Sequence, residues 1–101
     1  MDNKLQFLVI ISKTKFKEKF SNLLIENGGK GLITIYGKGS VSSSVLAQSF
    51  GLDNDVKRLV LHCLITTENA KNVLQILTEK YHFDKPNTGI AYTIPVEGLM
   101  F

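Results

Sequence analysis

One cysteine, two prolines, one arginine and no tryptophan occur in the 101 residues of this chain. The single cysteine, Cys63, has no internal partner, so a disulfide-stapled scaffold is excluded and a reducing, cytoplasmic location is the expectation. Few prolines and a 44% hydrophobic content exclude a disordered or collagen-like chain and point to one globular domain spanning residues 1–101. Long apolar runs are missing too. Stretches such as residues 7–11 fall far short of the roughly 20 residues of a membrane helix. No secretory leader is expected, because Lys4 and Gln6 flank a short strand-like run that has no small-residue cleavage site.

The positive charge is almost all lysine. Twelve basic residues against nine acidic ones give a net charge of +3, and Arg58 is the only arginine. Base readout leans on arginine forks, so nucleic acid is not an expected partner. Lys13, Lys15, Lys17 and Lys19 alternate, which scatters them around a solvated helix start instead of forming a stripe.

The chain itself shows an ordered alternation of patterns. Residues 5–11 are nearly all apolar and rich in valine and isoleucine, as in a strand buried on both faces. Ser12 or Thr14 is placed to cap a helix whose apolar face is Phe16, Phe20, Leu23 and Leu24, and Asn27-Gly28-Gly29 ends it. Residues 32–36 read as a second strand. Residues 40–55 form a serine-rich loop in which 45–50 has the pattern of a short helix, followed by a turn at 53–55. Residues 56–65 read as a third strand. Thr66 or Thr67 caps a second helix with Ala70, Val73, Leu74 and Leu77 on its apolar face. Residues 84–89 form a loop, and 90–96 a last strand whose Pro95 suits an edge.

The order β-α-β-β-α-β is the ferredoxin-like α+β arrangement, a four-stranded antiparallel sheet with two helices on one face. Two helices cover one side only. Yet Phe7, Val9 and Ile11 alternate with Leu8 and Ile10, and Leu59, Leu61 and Cys63 alternate with Val60 and Leu64. Both sheet faces are therefore apolar, and the uncovered one predicts a homo-oligomer.

Catalytic chemistry has little to work with. His62 and His82 lie 20 residues apart with no metal-spaced partner, and His62 and Cys63 point to opposite faces of their strand. No Gly-x-Ser-x-Gly elbow is present. The expectation is no enzyme, no catalytic residue and no metal site. Glycine carries more information. Gly28, Gly29 and Gly31 precede the second strand, Gly37 and Gly39 end it, and Gly89 opens the last. These are either plain turn glycines or positions that let backbone amides approach a phosphate or an adenine, with Lys38 or Lys85 supplying charge.

Gly37-Lys38-Gly39 after the second strand, together with the run from Thr88 through Gly89-Ile90-Ala91-Tyr92-Thr93-Ile94-Pro95 to Val96, resembles the PII-like signal-transduction proteins, the nitrogen-regulatory PII family and its shorter relatives. The resemblance covers nearly the whole chain. It implies a compact homotrimer with the sheets facing inward and a small effector, with ATP, ADP or AMP as the candidates, bound in clefts between subunits. By the same resemblance Gly37, Lys38 and Gly39 at the base of the T-loop wrap the nucleotide. Lys85, Pro86, Asn87, Thr88 and Gly89 form the B-loop near the phosphates. His62, Cys63 and Leu64 flank the adenine through their backbone, and Gly29, Lys30 and Gly31 of the neighbouring subunit close the cleft. The loop 40–55 is the implied contact for a partner, a membrane transporter or a metabolic enzyme. This loop is shorter than a full T-loop and holds no tyrosine, so uridylylation there is excluded. Two other readings are a structural or interaction trimer without a nucleotide and a metal-binding trimer of the CutA type.

Overall fold

The computed structural model describes residues 4–37, 58–86 and 88–97. The expected short helix at 45–50, the turn at 53–55, the remainder of the loop 40–55 and the first two residues of the third strand lie outside the described residues, as do Lys38, Gly39 and Asn87.

The first strand, β1, runs Leu5–Lys13, two residues beyond the expected end. This extension changes how the first helix begins. Ser12 stays in the ladder opposite Leu59, is 2% exposed, and donates its hydroxyl proton to the Lys13 carbonyl at 3.2 Å. Thr14 opens a single 3-10 turn, Thr14–Phe16, that leads into α1, Lys17–Glu26. Neither Ser12 nor Thr14 is the helix cap. That position belongs to Phe16, which has no side-chain cap hydrogen bond. Its ring stacks on Phe20 at 5.0 Å, so aromatic packing fixes the helix entry. The four lysines accordingly split, with Lys13 on a strand, Lys15 in the 3-10 turn, and Lys17 and Lys19 on α1.

The end of α1 follows its sequence signal. Asn27 Nδ2 donates to the Leu23 carbonyl at 2.8 Å, and Gly28 takes a left-handed φ of +81°. The Gly29 N–H then closes on the Leu24 carbonyl at 2.7 Å. Strand β2, Lys30–Gly37, follows immediately.

Strand β3, Arg58–Thr66, passes straight into α2, Thr67–Tyr81. Of the two candidate caps, Thr66 serves, its hydroxyl accepting from the Asn69 N–H at 3.3 Å. Thr67 instead ties α2 to the start of β1, donating to the Lys4 carbonyl at 3.2 Å and accepting from Gln6 Nε2 at 3.0 Å. Strand β4, Ile90–Pro95, completes the chain order.

The four strands form one antiparallel sheet in the order β2-β3-β1-β4, so Pro95 lies on an edge strand as expected. Leu8 and Ile10 of β1 and Leu59, Leu61, Cys63 and Ile65 of β3 pack against Phe20 and Leu24 of α1 and Ala70, Val73 and Leu77 of α2, all at most 1% exposed. This is the ferredoxin-like α+β fold.

The opposite face has no cover among the described residues. By register it carries Leu5, Phe7, Val9 and Ile11 of β1, Val60, His62 and Leu64 of β3, Ile33 and Ile35 of β2, and Ile90, Tyr92 and Ile94 of β4. Toward its edges the face is open, with Ile33 51%, Ile35 54% and Ile94 47% exposed. Contiguous apolar area of this kind marks an interaction surface.

Thr66→Ala removes the α2 cap and should lower stability by about 1 kcal/mol. Urea denaturation followed by circular dichroism checks this as a lower midpoint with an unchanged slope.

Candidate functional site

The sheet register sorts the candidate residues into two groups. Lys30 pairs with Leu64, and Ile33 pairs with His62, so residues 29–31 and 62–64 lie side by side toward one end of the sheet. A bulge between Lys30 and Ile33 offsets the register there. Gly31, at a φ of +60°, supplies the left-handed residue that the bulge needs, with open space where a Cβ would stand.

Gly37 sits at the other end. It pairs with Arg58, which pairs with Lys13 of β1. The loop leading to β4 arrives at this same end, because Ile90 opposes Ile11. Gly37 and Gly89 therefore share an end of the sheet but stand on its two edges, about 14 Å apart across the intervening strands. Along β3, the row of Arg58 and that of Leu64 are separated by about 20 Å. Within a single subunit the two groups cannot enclose one small ligand.

The loop before β4 is held by its own atoms. His82 ends α2 with φ +60° and ψ 40°, and the Phe83 N–H reaches back to the Leu77 carbonyl at 3.1 Å. The Lys85 N–H donates to the His82 carbonyl at 2.9 Å. Thr88 Oγ1 lies 2.8 Å from the His82 carbonyl and 2.7 Å from that of Lys85, a hydroxyl clasp across the turn. Lys85 and Pro86 are exposed at its tip.

Gly89 has a packing reason of its own. A Cβ there would lie 2.5 Å from Phe83 Cζ and 3.0 Å from the Ile11 carbonyl oxygen. The Phe83 ring fills that space and meets Phe20 edge-on at 5.7 Å. Gly29 is similarly constrained, since a Cβ would come within 2.8 Å of the Leu24 carbonyl oxygen and 3.0 Å of Cys63 Sγ. Turn and packing chemistry thus accounts for both glycines. Gly37 differs, with none of the described residues within 4 Å of the position a Cβ would take.

Two side-chain pairings join residues of different elements. His62 lies parallel to Phe7, ring centroids 4.8 Å apart at 23°, near the middle of the open sheet face. Lys17 at the start of α1 reaches Tyr36, the residue before Gly37, with its ammonium 5.5 Å from the ring centre. A hydrogen bond to Tyr36 holds the Lys17 ammonium above its usual range. The contact ties α1 to the end of β2, where the implied T-loop base begins. The alternation of β1 and β3 could have placed His62 beside Phe7, whereas nothing in the sequence pairs Lys17 with Tyr36.

Cys63 faces the helices at 0% exposure, and burial pushes its thiol up from the usual value. Among the described residues no group of three or more His, Cys, Asp and Glu is placed to hold a metal ion. No helix among them is long and apolar enough to cross a membrane.

Gly89→Ala brings a Cβ against both the Phe83 ring and the Ile11 carbonyl oxygen and should cost about 1–3 kcal/mol, seen as a lower urea midpoint. Cys63 should resist a thiol-specific reagent in the native protein and react fully in denaturant, because the thiolate is the nucleophile and burial disfavours it.

No protein-family model matches the chain, nor does any curated protein. Solved structures match over almost the full length. A protein described as a PII-like signalling protein from Thermus thermophilus superposes with a TM-score of 0.68 at 24% identity, covering 95% of this chain and 91% of that one. CPII from Thiomonas intermedia, in a structure bound to ADP, AMP and acetate, gives 0.69 at 18% identity, covering 95% and 89%. Arabidopsis thaliana PII bound to citrate gives 0.62 at 17% identity, covering 94% and 79%. The fold is that of the PII-like signalling proteins.

Proposed function

We propose that this chain, residues 1–101 as one domain, is a PII-like regulatory protein. It assembles as a homotrimer through its open sheet face and binds an adenine nucleotide in the clefts between subunits. The observation that carries the reading is the spread of the candidate residues over one subunit. Gly29, Lys30, Gly31, His62, Cys63 and Leu64 lie toward one end of the sheet, and Gly37 and the start of β4 lie at the other end, on its two opposite edges. A second subunit, docked by the open apolar face, brings one group of its own against the other group of its neighbour.

Support comes from structures with this fold. CPII has been solved with ADP and AMP bound, together with acetate in one case and bicarbonate in another. In this reading Gly37, Lys38 and Gly39 wrap the nucleotide, and the loop 85–89 approaches its phosphates. The backbone at 62–64 flanks the base, and Lys30 of the adjoining subunit adds charge. The segment 40–55 follows the nucleotide-wrapping residues directly, so an occupied cleft can order it for a partner transporter or enzyme in the cytoplasm. The role is regulatory and not catalytic.

A thermal-shift series with AMP, ADP and ATP tests the reading. A nucleotide at about 100 times its Kd should add about 2.7 kcal/mol, a rise of several degrees in Tm, and Lys30→Ala and Lys85→Ala should each reduce that rise. Light scattering should give the mass of three chains. A flat response to all three nucleotides from an intact trimer would replace this function with that of an interaction trimer that binds no nucleotide.

A further inference from the structure

We infer that His62 makes the self-association of this protein pH-dependent. A neutral imidazole packs into the contact between subunits, and a protonated one opens it. The inference rests on the reading that the open sheet face is covered by further copies of this chain.

His62 lies on one of the two inner strands, flanked in register by Val9 of β1 and Ile33 of β2, with Val60 and Leu64 next to it on its own strand. One face of its ring is against Phe7. His62 is partly exposed in the isolated subunit. A second copy laid on this face removes that exposure. An imidazolium so enclosed loses its hydration and needs a counter-charge or an acceptor to replace it.

The strands of this face offer no such counter-charge. The ionisable groups they carry are Lys13 at the end of β1, Lys30 on β2, Arg58 at the start of β3 and Tyr92 on β4, and no strand position on the face is acidic. In the proposed trimer the same open face of each copy turns toward the shared axis, so the strands that each neighbour contributes there bring further lysine and arginine and no carboxylate. Protonated His62 would thus meet apolar side chains and like charge.

The sign follows from proton linkage. The separated subunit binds a proton at His62 more readily than the assembly does, so assembly releases protons and lowering the pH weakens it. Lysine, arginine and tyrosine do not change charge between about pH 8 and about pH 5.5, whereas histidine does. His82, the other histidine, sits exposed on the loop after α2, away from this face.

Sedimentation velocity over a concentration series, at about pH 8 and about pH 5.5, with circular dichroism confirming the fold at both, provides the test. The association constant of the wild-type chain should fall at least about tenfold at the lower pH, one charged imidazole per subunit being enough for that change. His62→Phe, which keeps a ring against Phe7, and His62→Gln, which keeps a neutral polar group, should each abolish the difference. His82→Asn should retain it. Equal association of the wild type at the two pH values would overturn the inference and leave the assembly intact. So would a fall of the same size in both His62 variants. A monomer at both pH values would instead remove the self-association reading beneath it.

Discussion

Two helices can cover only one side of a four-stranded sheet, and this sheet is apolar on both. The buried side uses Leu8, Ile10, Leu59, Leu61, Cys63 and Ile65, every one of them shielded by α1 and α2. The other side alternates with it residue by residue, because the period of a strand is two. Strands that suit the first layer therefore present Phe7, Val9, Ile33, Ile35, Val60 and Leu64 on the second. The covered and the open apolar layers are encoded in the same four segments, and a substitution chosen for one acts on the neighbour that serves the other.

This alternation also gives the glycines their different meanings. Gly29 is where the turn after α1 passes close to Cys63, and Gly89 is where the Phe83 ring slides under the start of β4. Both positions are occupied by the protein itself on the side where a Cβ would go. Gly37 has none of the described residues at that position, lies at the end of an edge strand, and follows the Tyr36 ring that Lys17 reaches.

Most of the fold was legible because its signals are periodic. Apolar alternation marked the strands, the i, i+3, i+4 spacing marked both helices, and Asn27-Gly28-Gly29 marked the end of the first. The start of that helix was misread because Ser12 and Thr14 carry the right side chains in the wrong geometry. β1 runs on to Lys13, pulling Ser12 into the ladder, and ring stacking of Phe16 on Phe20 replaces a polar cap. The candidate site was legible only as segments. Sequence order cannot show that Lys30 lies beside Leu64 while Gly37 lies at the far end of the same strand, since that depends on the register of β2 against β3. The Lys17–Tyr36 contact joins residues far apart in the chain and leaves no local trace.

The register of β1 has a consequence for how the chain is made. Every ladder partner of Leu5–Lys13 lies in Arg58–Thr66 or Ile90–Pro95. β1 thus leaves the ribosome as an apolar strand before its mate β3 follows, and its second edge stays open until β4 follows in turn. At translation rates of roughly 5–20 residues per second that exposure lasts on the order of several seconds. Nascent chains in this interval present the apolar stretch 7–11 to chaperones or to one another.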